Sequence, residues 1–350
     1  MALTRRGKLV AAIITTVIVL GSAVAVLALT GVGKHIPGLR NLTGGSDEQS
    51  KPRLCLTGRR APSGQAPDRP ALAIKVENLP EARPQAGLDK ADIVYEEPVE
   101  GGITRFIVIF YCQGAKRVGP VRSARLTDPP ILLQFGKETL FGYAGGAGKT
   151  LAAIKQSGLH DLRYNIPVAE SAFVRDPNRT APHNLYTSTA ALYKAAHVKG
   201  SPPRPVFHYG SHLFRKAKAV TTIHLDFSSS SDVFWRYKAD KKEYLRFHGS
   251  VPHTLEGGVQ VSATNVVVML VSLRDTGIVD AAGNPSPEVE SVGEGRAFVF
   301  RDGKMIEGRW MRRSRNGVIK LVDPKNKPIQ LARGRTWVEL LPKDIPVQAT

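Results

Sequence analysis

Three textures of apolar and polar positions follow one another along the chain. Leu9 to Leu29, "LVAAIITTVIVLGSAVAVLAL", is uncharged and matches the roughly 20 apolar residues that cross a bilayer. Residues 31 to 68 have no apolar period and are rich in Gly, Pro, Ser and charge, as a flexible linker is. From Arg69 the pattern becomes that of a folded protein. "PALAIKVEN" is a compact run with strand character, and "ADIVYEEPVEGGITRFIVIFY" offers strands at Ile93–Tyr95 and Arg105–Tyr111 around a Gly-Gly turn. Helical spacing follows at about Thr150–Gln156 and Thr187–Ala196. Beyond about Val220 the texture is of hairpins: "DVFWRYKADKKEYLRF" folds around a charged turn, "ATNVVVMLVSL" reads as a buried strand, and "RAFVFRDGKMIEGRWMR" alternates about Asp302-Gly303. The fold class expected is α+β. A cytoplasmic tail (1–8) and a transmembrane signal anchor (9–29) lead through a linker (30–68) to a mixed α/β N-terminal domain (69–212) and a mostly β C-terminal domain (213–345).

Charge fixes the orientation of the anchor. Arg5, Arg6 and Lys8 precede the apolar run, so the positive-inside rule keeps them in the cytoplasm and places the rest outside the membrane. A cleaved signal peptide has an apolar core of only about 7 to 15 residues. The length of Leu9–Leu29 favours an uncleaved, single-pass anchor, although "AVA" at Ala23–Ala25 keeps cleavage open. The formal net charge of +19 points to polyanionic surroundings. Outside a membrane these are wall polymers or lipid headgroups, and aromatic residues are too sparse among the C-terminal arginines and lysines for base stacking. The two cysteines, Cys55 and Cys112, are spaced for neither a CxxC redox pair nor a zinc site; an oxidising compartment favours one disulfide over two free thiols.

"FGYAGGAGKT", Phe141–Thr150, looks like a phosphate loop. That motif needs Gly, four residues, then Gly-Lys-Ser/Thr, and Gly148-Lys149-Thr150 would put its first glycine at Tyr143. The stretch reads instead as a strand-to-helix turn in which Gly145, Gly146 and Gly148 relax the backbone. With Lys149 beside a helix N-terminus, such a turn can still receive a carboxylate or phosphate of another ligand.

The series "RPALAIKVENLPEARPQAGLDKADIVYEEPVEGGITRFIVIFY", "VGPVRSARLTDPP" and "FVRDPNRTAPHNLYTS", followed by "GEGRAFVFRDGKMIEGRW" and "GRTWVELLP", resembles the YerB-type lipoprotein family of bacteria over about Arg69 to Pro342. The resemblance implies export, membrane attachment and two domains, without a biochemical function. The chain departs from the family pattern twice. Cys55 lies too far past Leu29 to be a lipobox cysteine, so the anchor falls to the transmembrane segment. Ala144 stands where many members have Ser, which excludes a serine nucleophile there.

Three groups in the first domain are unusual for a plain core: Glu96, Glu97 and Glu100 beside Gly101-Gly102; Arg105, Arg122 and Arg125 near Asp128; and Arg175, Arg179, His183 and Asn184 in "RDPNRTAPHN". Arginines grip carboxylates or phosphates through paired hydrogen bonds, and a carboxylate with a histidine can do acid-base work. The bland alternative is a network in which these groups neutralise one another. The leading expectation is a membrane-anchored extracytoplasmic binding or scaffolding protein whose anionic ligand, a wall polymer or an envelope protein, meets Arg105, Arg122, Arg125, Arg175, Arg179, Asn184, Gly145 and Gly146. The competing expectation is a wall glycan or peptide hydrolase or transferase with Glu96, Glu100, Asp128 and His183 as acid-base candidates. No cofactor, nucleotide or nucleic acid is expected. No metal is expected either, since "HYGSH" at His208–His212 lacks the glutamate of a zinc-peptidase helix.

Overall fold

The computed structural model describes residues 54–197, 200–212 and 217–350. The expected anchor at Leu9–Leu29, and the linker as far as residue 53, lie outside the described residues. Among the described residues no helix is long and apolar enough to cross a membrane.

The N-terminal region contributes β1 (Leu72–Glu77), β2 (Ile93–Pro98), β3 (Thr104–Phe110), β4 (Leu140–Tyr143) and β5 (His160–Arg163), with a short hairpin of β6 (Phe173–Arg175) and β7 (Leu185–Thr187). Its helices are α1 (Asp128–Leu133), α2 (Gly148–Ser157) and α3 (Thr189–Ala196). The C-terminal region adds β8 (Thr222–Ser228), β9 (Ser231–Lys238), β10 (Glu243–His248), β11 (Asn265–Val271), β12 (Leu273–Val279), β13 (Pro285–Val289), β14 (Gly293–Arg301), β15 (Lys304–Arg312), β16 (Lys320–Val322) and β17 (Thr336–Pro342). A mixed N-terminal part and a mostly β C-terminal part are therefore present as expected.

The two regions share one eleven-stranded sheet, ordered β16-β15-β14-β11-β17-β2-β3-β1-β4-β5, with the short strand Lys218–Ala219 beside β15. The seam is β17, which pairs in parallel with β2 from Ile93↔Thr336 to Glu96↔Glu339 and with β11 on its other side. A second sheet is built on β8, β9 and β10. It covers one face of the first, where Ile223, Leu225 and Trp235 meet Ile74, Val76, Val94, Phe106 and Val108. The opposite face carries Ala73, Ile93, Tyr95, Ile107 and Ile109 and is packed by Ile131 and Leu132 of α1 and Ile154 of α2. A strand covered on both faces has no solvent side, and all six residues of β1, "LAIKVE", are buried. Lys75 and Glu77 are thus interior charges, and their partners decide what this end of the sheet can do.

Local signals shape the helices. Ser188 caps α3 by accepting from the Ala191 amide at 3.1 Å, and α2 stops at Gly158 with φ 76°. Strands β1, β4 and β5 are mutually parallel, so β4, α2 and β5 form one crossover unit. Residues 144–147, the glycine stretch, lie at the carboxyl end of β4, as a strand-to-helix turn should.

The linker is shorter than the composition implied. Residues 54–68 belong to the folded body: Leu56 and Ala66 join the core, and Cys55 is bonded to Cys112, with Cα atoms 5.6 Å apart. A Pro- and Gly-rich composition conceals this because a few buried side chains and one covalent bond are enough to hold an irregular segment.

Candidate functional site

At the carboxyl end of β1 the neighbours are β3, ending its pairing at Glu77↔Arg105, and the segment leading to α1, whose Arg122 amide donates to the Lys75 carbonyl at 2.9 Å. That segment is bonded in turn to the glycine turn: the Ala124 amide donates to Gly145 at 2.8 Å and the Ala144 amide to Arg122 at 2.9 Å. Open α/β sheets bind ligands outside the carboxyl ends of their strands. Here the alternation of strand side chains sends Lys75, Glu77, Glu97 and Arg105 to the face that carries α1 and α2.

The charges form three layers. Deepest is Lys75, with no exposed surface, whose Nζ bonds Glu97 Oε1 and, at 2.6 Å, Asp128 Oδ1. Asp128 Oδ2 accepts from the Arg125 amide at 2.5 Å, which fixes the start of α1. Glu97 Oε2 is buried without a hydrogen-bond partner. Burial, reinforced by the Asp128 charge and opposed by Lys75 and Arg125, pushes the Glu97 carboxyl up to about 7.

The middle layer consists of two ion pairs. Arg125 Nη2 meets Glu100 Oε2 at 2.5 Å. Burial acts to raise the Glu100 carboxyl, but Arg125 outweighs it and holds the group below the usual carboxylate value. Arg122 Nε meets Glu77 Oε1 at 2.8 Å, and His183 Nδ1 meets the other Glu77 oxygen at 2.9 Å.

Arg105 stands between these layers. It faces Glu97 across β2–β3 and Glu77 across β1–β3, yet among the described residues no carboxylate lies within ion-pair distance of it. Its Nη1 donates to the Ser123 carbonyl at 3.0 Å, and its Nε is buried without a partner. Only 7% of the residue is exposed. Burial, with the Arg125 charge next, pulls its guanidinium down to about 10. Glu100 and Glu77 act on it only from beyond contact, and a buried cation with no contacting counter-ion is costly.

The rim is formed by α2 and by the β12–β13 hairpin. The Gly148, Lys149 and Thr150 amides open α2, with no side-chain cap at Ala147. Lys149 Nζ donates to the Thr276 carbonyl of β12 at 2.7 Å. At the tip of the hairpin, Asp280 Oδ1 accepts from its own turn, at the Ala282 and Asn284 amides.

Not every sequence candidate arrives here. The cluster gathers Glu100, Arg105, Arg122, Arg125, Asp128, His183, Gly145 and Gly146. Glu96 goes to the other face of the sheet, because adjacent strand residues point opposite ways. There both its oxygens accept from Arg246 Nη2, at 2.9 and 2.8 Å, and it also receives Thr104 Oγ1 at 2.7 Å and Trp337 Nε1 at 3.2 Å. Arg175 Nη1 donates to Asn184 Oδ1 at 2.8 Å, so these two hold the β6–β7 hairpin. Arg179 is likewise occupied, donating to Tyr186 Oη at 2.6 Å and to the Pro84 and Glu81 carbonyls at 2.9 and 3.0 Å. Two members of the cluster, Lys75 and Glu77, are absent from the sequence candidates, and Glu97 stands there only as a member of the acidic group, with no binding or acid-base role. Their signal is charge at inward positions of strands that carry apolar residues on both faces.

Comparison with known proteins agrees with the geometry of the fold. The family described as "Protein of unknown function (DUF3048) N-terminal domain" matches residues 56–202, and its C-terminal domain matches residues 223–338. A Bacillus subtilis (strain 168) protein described as "Putative lipoprotein YerB" is 33% identical over 307 residues, covering 85% of this chain and 88% of that protein. The crystal structure of YerB protein from Bacillus subtilis superposes with a TM-score of 0.71 at 28% identity, over 84% of this chain and 98% of that one. The chain therefore belongs to the YerB family, with both DUF3048 domains present.

Proposed function

We propose that this protein is held at the outer face of a bacterial membrane and binds an anionic group of the envelope in the crevice at the carboxyl end of β1. The extracytoplasmic, membrane-attached setting is supported by the lipoprotein name of the Bacillus subtilis relative, by the Cys55–Cys112 disulfide and by the uncharged run Leu9–Leu29. The observation that carries the binding reading is Arg105: only 7% of it is exposed, and among the described residues no carboxylate is in ion-pair contact with it. Arg122, Arg125 and the amides opening α2 surround the same crevice, and all attract negative charge.

The test uses the full-length chain in detergent, pelleted with purified bacterial wall sacculi. Retention at low salt, release at roughly 0.5 M salt where charges are screened within a few ångström, and loss of retention by Arg105→Met are the expected results. Equal retention of the wild-type and Arg105→Met proteins would remove the crevice from the explanation.

A further inference from the structure

We propose that an anion and a proton enter this crevice together, the anion against Arg105 and the proton on Glu97, and that the bound group carries a single negative charge. The proposal rests on the anion-binding reading above and specifies how that site is regulated and which class of ligand it admits.

The argument begins from the balance of buried charge. Four cations, Lys75, Arg105, Arg122 and Arg125, meet four carboxylates, Glu77, Glu97, Glu100 and Asp128. With every group ionised the set is neutral, and an incoming anion would leave an excess negative charge in a dry interior. The excess cannot be removed at Glu77 or Glu100, each of which faces its own arginine at 2.8 and 2.5 Å. Asp128 has both oxygens engaged, by Lys75 and by the Arg125 amide. Glu97 differs: one oxygen meets Lys75 and the other, Oε2, has no donor and no contact with water.

Glu97 is also the carboxylate that stands in for a ligand. It shares Lys75 with Asp128, so the buried trio carries one negative charge more than it needs, and the cation opposite that surplus across β2–β3 is Arg105. Protonating Glu97 leaves a balanced Lys75–Asp128 pair and gives the whole set one net positive charge, which one external negative charge at Arg105 balances. Other groups around this space are the buried Tyr143 hydroxyl on β4, which lies beside Asp161 of β5; His183 at the rim, on Glu77; Lys149 on α2, bonded to the Thr276 carbonyl; and Asp280, satisfied by its own turn. A doubly charged oxyanion would exceed what one proton and Arg105 compensate. The class admitted is a singly charged oxyanion such as a phosphodiester or a carboxylate.

Methyl sulfate and inorganic sulfate serve as probes, since their charges do not change between pH 5.5 and roughly pH 8.5, and titration calorimetry on the full-length chain in detergent gives affinity and proton uptake. The expected result is that methyl sulfate affinity falls up to about tenfold per pH unit above pH 7 and levels off below about pH 6. In buffers of different ionisation enthalpy, binding at pH 8 should take up about one proton, and sulfate should bind more weakly than methyl sulfate. Glu97→Gln should bind methyl sulfate with this pH dependence removed, whereas His183→Gln, which removes the imidazole resting on Glu77, should keep it. A flat profile without proton uptake in the wild-type protein overturns the coupling while leaving anion binding intact. A profile unchanged in Glu97→Gln does the same. Absence of binding by either probe at every pH instead rejects the anion-binding reading itself. If Glu97→Gln does not fold, the wild-type proton count decides alone.

Discussion

Glu97 and Arg105 are direct cross-strand partners on β2 and β3, on the same face of the sheet, and they do not pair. Opposite charges in that position ordinarily find each other. Here Glu97 is drawn to Lys75 and Arg105 reaches to the Ser123 carbonyl. The separation leaves a cation and a carboxyl group each incompletely satisfied about one strand spacing apart. Such an arrangement is expensive to keep in a purely structural network, which is why the crevice reads as a binding site.

Replacing Arg105 should therefore cost little stability. Arg105→Met removes a buried charge without breaking a contact ion pair, and a proton on Glu97, already raised to about 7, restores the balance of the set; urea unfolding near pH 6 is expected to shift by less than about 1 kcal/mol, while binding to wall material is lost. A loss above about 3 kcal/mol would mark Arg105 as a structural residue.

Arg246→Met should behave in the opposite way. Arg246 and Glu96 have no exposed surface and are joined through two hydrogen bonds, within an aromatic surround of Phe106, Trp235 and Trp337. Removing the arginine strands the Glu96 carboxylate beside Glu339, whose own carboxyl is raised by burial and by Glu96. A loss of about 3–5 kcal/mol is expected in urea unfolding. The double variant Glu96→Gln/Arg246→Met should recover part of it.

Stability should fall as pH rises through mild acidity. Burial pushes the Asp92 carboxyl up to about 6, against the Tyr111 and Cys112 amides. A folded-state value above the ordinary 3.8 means that the folded protein holds this proton more tightly than the unfolded chain. The contribution is then fully present below pH 3.8 and lost by about pH 6. Asp92→Asn should remove this part of the slope and stabilise the protein at pH 7.5 by roughly 2 kcal/mol, as read from urea midpoints across pH. An identical slope in the variant would reject the assignment.

Reduction of Cys55–Cys112, which closes a separation of 57 residues, should cost up to about 4 kcal/mol by loop entropy. The first consequence expected is release of the segment after Cys55, where Arg59 and Arg60 are exposed. Limited trypsin digestion should cut there faster after reduction than before it, while the core from β1 onward resists.

Much of this architecture is legible in the residues. The glycines of Gly145–Gly148 between a strand pattern and a helical one give the β4–α2 turn, and "DVFWRYKADKKEYLRF" gives the β9–β10 hairpin, because local periodicity and turn chemistry govern both. The candidate site is legible only in part. Glu96 and Glu97 look equivalent as neighbours, but the two-residue period of a strand puts them on opposite faces, one locked to Arg246 and the other under the crevice. The meeting of Glu77, Arg122 and His183, separated by up to 106 positions, depends on strand order, and no local pattern carries that information.

The position of β17 has a consequence for how the protein is made. Strand β2 is flanked by β3, which follows it directly, and by β17, which is Thr336–Pro342 and comes more than 200 residues later. Until those residues emerge, β2 can acquire only one of its neighbours and presents a bare hydrogen-bonding edge, which is a template for mispairing. β11 likewise waits for β17. A newly made chain thus remains vulnerable to proteases and to self-association until Thr336–Pro342 has been made, and loss of that strand would open the sheet at its centre.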